Sequence, residues 1–138
     1  MKQWTALILI FACAVILFAG CSEQSTYQPT EVDNVTICIM DVSPTGATVV
    51  IQDTNAEPYV YGEWYQIERE KNGGWYPVDP VISNYGFHEI GYLPDDQGKV
   101  EFAVNWEWLY GKLPAGNYRL LKQVGSSCIS VEFRVGAV

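Results

Sequence analysis

Residues 99–106, with the sequence KVEFAVNW, show the clearest periodicity in the chain. Every even position in this stretch carries a large apolar side chain, and most odd positions carry a polar one. Because successive side chains of a β-strand point to opposite faces, the alternation predicts a strand with one buried and one solvated face. Residues 128–135 repeat the pattern, with Ile129, Val131, Phe133 and Val135 on one side.

Further strands are predicted on both sides of this stretch, where β-branched and aromatic residues lie between turn sequences. We expect them at residues 35–41, 47–52, 59–70, 75–78 and 118–124. Residues 71–74 (KNGG) separate two of these strands with a glycine-containing loop, which is typical of a β-hairpin. Residues 106–112 have room for a single helical turn only. Seven short strands over about a hundred residues predict an all-β antiparallel sandwich.

The composition limits the number of domains and the classes of partner. The chain has 138 residues, of which 49% are hydrophobic, so it holds one domain with a core. Its formal charge is 8 − 16 = −8. A nucleic-acid partner is excluded because phosphate binding requires clustered lysine and arginine.

The N-terminus has the features of an export signal. Residues 6–19 are uncharged and would span roughly 21 Å as a helix, short of the ~30 Å hydrocarbon core of a bilayer. A charged start, a short apolar core and small residues at the exit indicate a secretory signal peptide. A plain cleaved signal and an uncleaved anchor are the alternatives to the more specific interpretation that follows.

The sequence FAGC, residues 18–21, resembles the bacterial lipobox, although the family prefers Leu where Phe18 stands. The resemblance implies cleavage before Cys21 and a lipid on that cysteine. We therefore predict a lipoprotein signal peptide at residues 1–20, the lipidated cysteine and a flexible polar tether at 21–34, and the folded domain at 35–138. The expected location is a cell membrane, with the lipid-anchored protein facing outside the cytoplasm.

A second resemblance concerns residues 113–118 (LPAGNY), which are similar to the tyrosine corner of Greek-key sandwiches. Leu113 and Gly116 precede Tyr118, whose hydroxyl is expected to bond back across the connection. With SPTGA at 43–47, YG at 61–62, GWY at 74–76 and NWEWLYG at 105–111, residues 35–135 resemble a bacterial immunoglobulin-like domain. The resemblance implies a Greek-key β-sandwich at the cell surface and transfers no catalytic residue.

Two cysteines remain after removal of the signal peptide and lipidation. Cys38 and Cys128 both lie on the side of their strands opposite the apolar residues, so both should point outward. In immunoglobulin-like sandwiches the first and last strands can run side by side. On that basis we predict a Cys38–Cys128 disulfide, with two separate thiols as the alternative.

Candidates for catalysis and metal binding are few. His88 is the single histidine, and no nucleophile is patterned with it; a loop histidine is the favoured interpretation. Asp95 and Asp96 lie in PDDQG, residues 94–98, where a turn explains the sequence without calcium. We therefore predict no enzyme activity, no metal and no cofactor.

Aromatic residues are the remaining candidates for a binding site. Trp64 and Trp108 are the rings that the patterns leave free to face a ligand, whereas Trp106 shares the buried face of residues 100–104. The predicted function is a lipid-anchored, non-catalytic surface module that contacts a protein or the cell envelope. The alternative is a carbohydrate-binding surface lipoprotein that uses exposed aromatic rings.

Overall fold

The structure is a computed structural model that describes residues 22–136, and it confirms the all-β prediction. It contains seven strands and one short helix. In chain order these are β1 (Val35–Ser43), β2 (Gly46–Asp53), β3 (Gln66–Lys71), β4 (Gly74–Pro77), β5 (Lys99–Asn105), α1 (Glu107–Tyr110), β6 (Gly116–Val124) and β7 (Ser127–Val135).

The strands form two antiparallel sheets that pack face to face. One sheet has three strands in the order β1-β2-β5, and the other has four in the order β4-β3-β6-β7. The chain crosses from the first sheet to the second after β2, returns to place β5 beside β2, and crosses again to β6 and β7. This alternation between sheets is the connectivity of an immunoglobulin-like sandwich.

The core lies between the two sheets and is formed by the inward-facing side chains that the alternation predicts. Trp106, Ile51, Ile67 and Leu120 are fully buried there. The rings of Trp106 and Phe133 lie 5.3 Å apart and join the two sheets. Each large ring removes roughly 150–250 Å² from water, which makes the aromatic residues the largest single contributors to burial.

The two shortest strands are joined by a tight hairpin turn. Lys71 pairs with Gly74, and the two residues between them, Asn72 and Gly73, have φ angles of 51° and 77°. Two positive φ angles define the type I′ turn, which Asn-Gly favours because neither residue is strongly disfavoured there. The hairpin predicted from KNGG is therefore present with a two-residue turn.

The predicted strand over residues 59–70 is wrong in its first half, because β3 begins only at Gln66. Tyr61 instead forms an isolated bridge with Tyr92, and its hydroxyl donates to Asp53 Oδ2 at 2.8 Å. The ring is fully buried, so burial of the aromatic side chain and satisfaction of its hydroxyl replace strand pairing here.

The predicted flexible tether over residues 22–34 is also corrected by the structure. Ser25 N donates to Trp75 O at the start of β4, and Thr30 N donates to Cys128 O on β7, both at 2.8 Å. Between these bonds, the ring of Tyr27 packs 5.6 Å from that of Trp64. Residues 24–30 thus cross the outer face of the four-stranded sheet, and we call them the strap. The polar composition of this segment suggested a flexible chain, but backbone hydrogen bonds attach it to β4 and β7.

The predicted signal peptide at residues 1–20 and the predicted lipid attachment at Cys21 lie outside the described residues. Within residues 22–136, no helix has the length and apolar character needed to cross a bilayer.

Candidate ligand-binding groove

Strand β5 forms one wall of a groove with a volume of about 390 Å³. Among the described strands, β5 pairs with β2 alone, so its second edge is free. Five consecutive residues of β5, Glu101 to Asn105, line the groove. Trp106 N donates to Thr45 O, one residue beyond the Gly46–Asn105 pair. In an antiparallel ladder this offset turns the backbone groups of Asn105 and Ala103 away from β2 and toward the groove.

The opposite wall is aromatic. Phe87 lies at its centre, with ring centroids 5.2 Å from Tyr65 and 5.9 Å from Trp108, both in edge-on contact. Tyr92 packs edge-on against Phe102 at 5.4 Å. Trp108 is 43% exposed, so much of its surface remains open to a ligand at the groove. Edge-on packing fixes the ring planes, which gives the wall a defined shape.

A lysine also lines the groove, from the inner side of β6. Lys122 is only 2% exposed; its Nζ donates to Gly62 O at 2.6 Å and lies 4.0 Å from the centroid of the Phe102 ring. Burial lowers its pKa from 10.5 to about 8, because a charged amine loses hydration there. The carbonyl and the ring face offset part of that loss.

A polar cluster stands at the rim of the groove. The Tyr92 hydroxyl donates to Glu63 Oε1 at 2.8 Å, and His88 Nδ1 lies 3.2 Å from Glu63 Oε2. The hydrogen bond to the Glu63 carboxylate raises the pKa of Tyr92, since the bond favours the protonated phenol. His88 is 84% exposed and belongs to this rim rather than to a buried acid–base pair.

Most of the exposed apolar side chains lie in two irregular segments, and of these exposed residues Tyr92 lines the groove. Of the ten large hydrophobic residues that are exposed among the described residues, eight lie in residues 59–60 and 81–93. The isolated bridge between Tyr61 and Tyr92 ties these two segments together beside β5. The eight exposed residues are Tyr59, Val60, Val81, Ile82, Tyr85, Ile90, Tyr92 and Leu93. Clustered exposed apolar surface on a folded domain is characteristic of interaction sites.

The two tryptophans singled out from the sequence do not meet. Trp108 lines the groove, whereas Trp64 is half-buried against Tyr27 of the strap and does not line it. Sequence periodicity gave no sign of the groove itself, because its walls come from β5, β6 and two irregular segments. One signal was available for Lys122: it takes an inward position between Leu120 and Val124.

The turn at residues 94–98 is held by its own hydrogen bonds. Asp95 Oδ1 accepts from the backbone N–H groups of Gln97 and Lys99, both at 2.9 Å. Across residues 22–136, no group of three or more His, Cys, Asp or Glu side chains is arranged to hold a metal ion.

Residues 113–118 have the geometry of a tyrosine corner. The Tyr118 hydroxyl donates to the carbonyl oxygen of Pro114, four residues upstream, at 2.6 Å. The ring is 1% exposed and stacks on Phe133 at 5.6 Å, while Leu113 is buried beneath the connection. Burial raises the pKa of Tyr118, because the ionised phenolate would lose its hydration.

The predicted Cys38–Cys128 disulfide is not formed in the structure, where both cysteines are free thiols. Both side chains do point outward and β1 does lie beside β7, but the two strands belong to different sheets. Cys38 faces away from the three-stranded sheet and Cys128 away from the four-stranded sheet, so the thiols lie on opposite faces of the sandwich. A disulfide needs Cβ atoms within about 4.5 Å, which this arrangement prevents.

The sequence pattern gave no sign of the polar groups that the fold buries. Glu68 is fully buried and Arg119 is 9% exposed, with Arg119 Nη2 2.6 Å from Glu68 Oε1. Asp53 is 2% exposed and accepts hydrogen bonds from the backbone of Asn55 and Tyr59 and from the Tyr61 hydroxyl. Burial alone would raise the pKa of Asp53, but these hydrogen bonds outweigh it and the pKa is lowered.

The two-sheet topology and the tyrosine corner together define an immunoglobulin-like β-sandwich. The fold does not by itself specify a function, because one fold can carry many different sites. Residues 31–134 match the family described as "Bacterial Ig-like domain", and the chain belongs to this family. Comparison with curated proteins and with solved structures gave no match.

Proposed function

We propose that this protein is a lipid-anchored, non-catalytic surface module that binds an extended segment of another protein along strand β5. The observation that carries the proposal is the groove, in which five consecutive residues of a free strand edge face an aromatic wall. A peptide added as a further strand would pair with the backbone of Ala103 and with that of Asn105, whose carbonyl oxygen also accepts from the Tyr65 hydroxyl at 3.4 Å. Its alternate side chains would contact Phe87 and Trp108 on the opposite wall.

The surroundings of the groove favour a protein as the ligand. Exposed strand edges pair readily with other chains, and natural domains usually protect such edges with charges or prolines. Here β5 carries the exposed Lys99–Glu101 pair in its first half, but the irregular segments that contribute to the groove expose Val60, Val81 and Leu93, each by 60% or more. Exposed apolar side chains in these segments suit a partner segment that buries hydrophobic side chains while it pairs with β5.

The lipid anchor in this proposal rests on the N-terminal sequence. The resemblance of residues 18–21 to a lipobox supports cleavage before Cys21 and acylation of its side chain. Two or three acyl chains hold a protein on a bilayer stably, whereas a single chain does not. The domain would then be displayed outside the cytoplasm, where the groove meets envelope proteins.

A second candidate is carbohydrate binding, which the exposed ring of Trp108 favours. Sugars stack on aromatic faces and hydrogen-bond to nearby carboxylates and amides. Glu101 and Asn105 line the same groove as Trp108, so both kinds of contact are available within it. The two candidates share one site and differ in the chemistry of the ligand.

Binding to isolated cell envelopes of the producing organism tests the proposal. We expect the purified protein to sediment with envelopes, and Trp108→Ala to lose this binding. Met40→Ala is the matched control, because Met40 is exposed to a similar degree, 45% against 43%, on the three-stranded sheet. Ala103→Pro removes a backbone N–H that faces the groove, without breaking a bond to β2, and should also abolish binding.

Treatment of the envelopes separates the two ligands. Protease digestion should abolish binding by a protein ligand, and periodate oxidation should leave it unchanged. The reverse result would support carbohydrate binding. Equal binding by Trp108→Ala, Ala103→Pro and the wild type would contradict the groove as the site.

A further inference from the structure

The strap places the start of the folded chain at one end of the sandwich. Ser25 is bonded to Trp75, and the side chain of Gln24 lies beside Gly74, at the turn of the β3–β4 hairpin. Ser25 lies four positions after Cys21, a span of at most about 14 Å. A lipid on Cys21 would therefore be held near this hairpin, because the strap cannot swing away as a free tether would.

The hairpin end of the domain also includes the β1–β2 turn at residues 43–46 and the connection at residues 112–116. These segments are joined by the bond from Leu113 N to Pro44 O and by the bond from Arg69 Nη2 to Ala115 O. The opposite end, which we call the acidic end, includes residues 53–57, 94–98 and 124–127. Strands of eight or nine residues separate the two ends by about 25 Å.

Charge is distributed unequally between the two ends. Four of the seven lysines and arginines among the described residues lie at the hairpin end, and none of these four forms an ion pair within that part of the chain. They are Arg69, Lys71, Lys112 and Arg134, and the carboxylates of Asp41, Glu70 and Glu107 lie at the same end, so the net charge there is about 4 − 3 = +1. At the acidic end, one cation, Lys99, accompanies six carboxylates, namely Glu31, Asp33, Asp53, Glu57, Asp95 and Asp96.

We propose that the hairpin end is a membrane-contacting surface, so that the anchored domain stands on an anionic phospholipid bilayer with its acidic end pointing away. This orientation rests on the lipid anchor proposed above. Two independent features lead to it: the strap brings the anchor to the hairpin end, and the hairpin end is close to neutral whereas the acidic end has a net charge of about 1 − 6 = −5. Lipid phosphates attract lysine and arginine near the surface and repel the carboxylates of the acidic end.

The same orientation leaves the groove accessible. Strand β5 runs from Lys99 at the acidic end to Asn105 near the hairpin end, so the groove would extend upward from the bilayer along the side of the sandwich. A partner segment could then pair with β5 without displacing the membrane contact.

A matched pair of fluorescent labels tests the orientation on the full-length, membrane-purified protein in vesicles. Ala115→Cys marks the hairpin end and Ala56→Cys the acidic end, since both alanines are exposed. With Cys38→Ser and Cys128→Ser in the background, Cys13 removed with the signal peptide and the Cys21 thiol occupied by lipid, each introduced cysteine is the thiol to label. In vesicles of phosphatidylglycerol with nitroxide-labelled headgroups, we expect the label at residue 115 to lose fluorescence and the label at residue 56 to keep it.

Two variants examine the cause of the orientation. Ser25→Pro removes the N–H that bonds to Trp75, and Glu23→Pro is its control, since no backbone bond is formed by Glu23 N in the described chain. Ser25→Pro should reduce the difference in fluorescence quenching between the two labels, and Glu23→Pro should not. Lys71→Glu with Lys112→Glu should reduce it as well, as should salt at ~1 M, where the Debye length is about 3 Å.

Mass spectrometry of the same preparation distinguishes failure of this orientation from failure of the anchor. Acylated Cys21 with equal quenching of both labels, or stronger quenching at residue 56, would overturn the orientation and leave the lipid anchor in place. A protein without acyl chains on Cys21 would overturn both.

Discussion

Arg119 and Glu68 form an ion pair on the outer face of the four-stranded sheet, with Nη2 and Nε of the arginine 2.6 and 2.8 Å from the same carboxylate oxygen. The guanidinium carbon also lies 4.8 Å from the centroid of the Trp75 ring. An outer face is normally solvated, yet Glu68 is fully buried. The strap explains this burial, because it crosses this face and Tyr27 O accepts from Arg119 Nη2 at 3.5 Å.

Removal of one partner from this ion pair should lower the stability of the domain substantially. We expect Arg119→Met to lower the free energy of unfolding by about 3–5 kcal/mol, since it leaves the Glu68 carboxylate buried without a counter-charge. Lys99→Met is the control: it breaks the exposed Lys99–Glu101 pair and should cost less than about 1 kcal/mol. Urea denaturation followed by tryptophan fluorescence measures both. Equal costs would contradict burial of the pair beneath the strap.

The tyrosine corner should depend on a single hydroxyl. Tyr118→Phe keeps the stacking on Phe133 but leaves the Pro114 carbonyl oxygen without its donor. We expect a loss of about 1–3 kcal/mol in the free energy of unfolding. Tyr85→Phe serves as the control, because Tyr85 is 45% exposed. Stability equal to wild type in Tyr118→Phe would show that the bond contributes nothing to the connection.

Lys122 should make the protein more stable in mild alkali. Its pKa is about 8 in the folded chain against 10.5 as its ordinary value, so between these values the unfolded chain holds a proton that the folded chain has released. The free energy of unfolding therefore rises with pH, by about 2 kcal/mol at pH 9.5 relative to pH 7. Denaturation at several pH values should show this rise in the wild type and in Lys112→Met, and its absence in Lys122→Met.

That measurement should stop below pH 10. Burial raises the pKa of Tyr65, and that of Tyr110 to about 12. Above pH 10 the unfolded chain loses phenolic protons that the folded chain retains, so stability falls again. A rise of the same size in Lys122→Met below pH 9.5 would assign the effect to another group.

Asp53 should contribute to loss of stability in acid. Its pKa is lowered in the folded chain, so the stabilisation is complete above the unfolded value of about 3.9 and is lost as the pH falls through the folded value. We expect Asp53→Asn to cost about 1–3 kcal/mol at pH 7, because its amide cannot accept all the hydrogen bonds of the carboxylate. The difference from wild type should shrink toward pH 2. Asp96→Asn, on an exposed turn residue, should match wild type throughout.

The cysteines should react as separate thiols of unequal reactivity. Cys38 is exposed, whereas Cys128 is half-buried and burial raises the pKa of its thiol, which lowers the thiolate fraction. We expect iodoacetamide to modify Cys38 first in the native, unreduced protein, and reductant to leave the Tm unchanged. Mass spectrometry after timed alkylation measures the order. A native protein without free thiols would instead restore the disulfide that the sequence suggested.

The strands could be predicted from the sequence because strand structure depends on local alternation. Apolar and polar residues alternate within residues 99–106 and within residues 128–135. The Asn72-Gly73 turn has the residue types that positive φ angles favour. The tyrosine corner is equally local, since donor and acceptor lie four residues apart. Such features need no knowledge of what packs against them.

Only the tertiary structure decided the rest, because it depends on contacts between residues distant in the chain. The composition of the strap suggested a flexible tether, but in the folded chain its backbone N–H groups donate to β4 and β7. The groove exists only where β5, β6 and two irregular segments converge. The cysteines illustrate the limit most clearly: alternation correctly predicted that both point outward. It could not tell that their strands lie in different sheets, and strand pairing across about ninety residues is set by packing of the whole core rather than by local pattern.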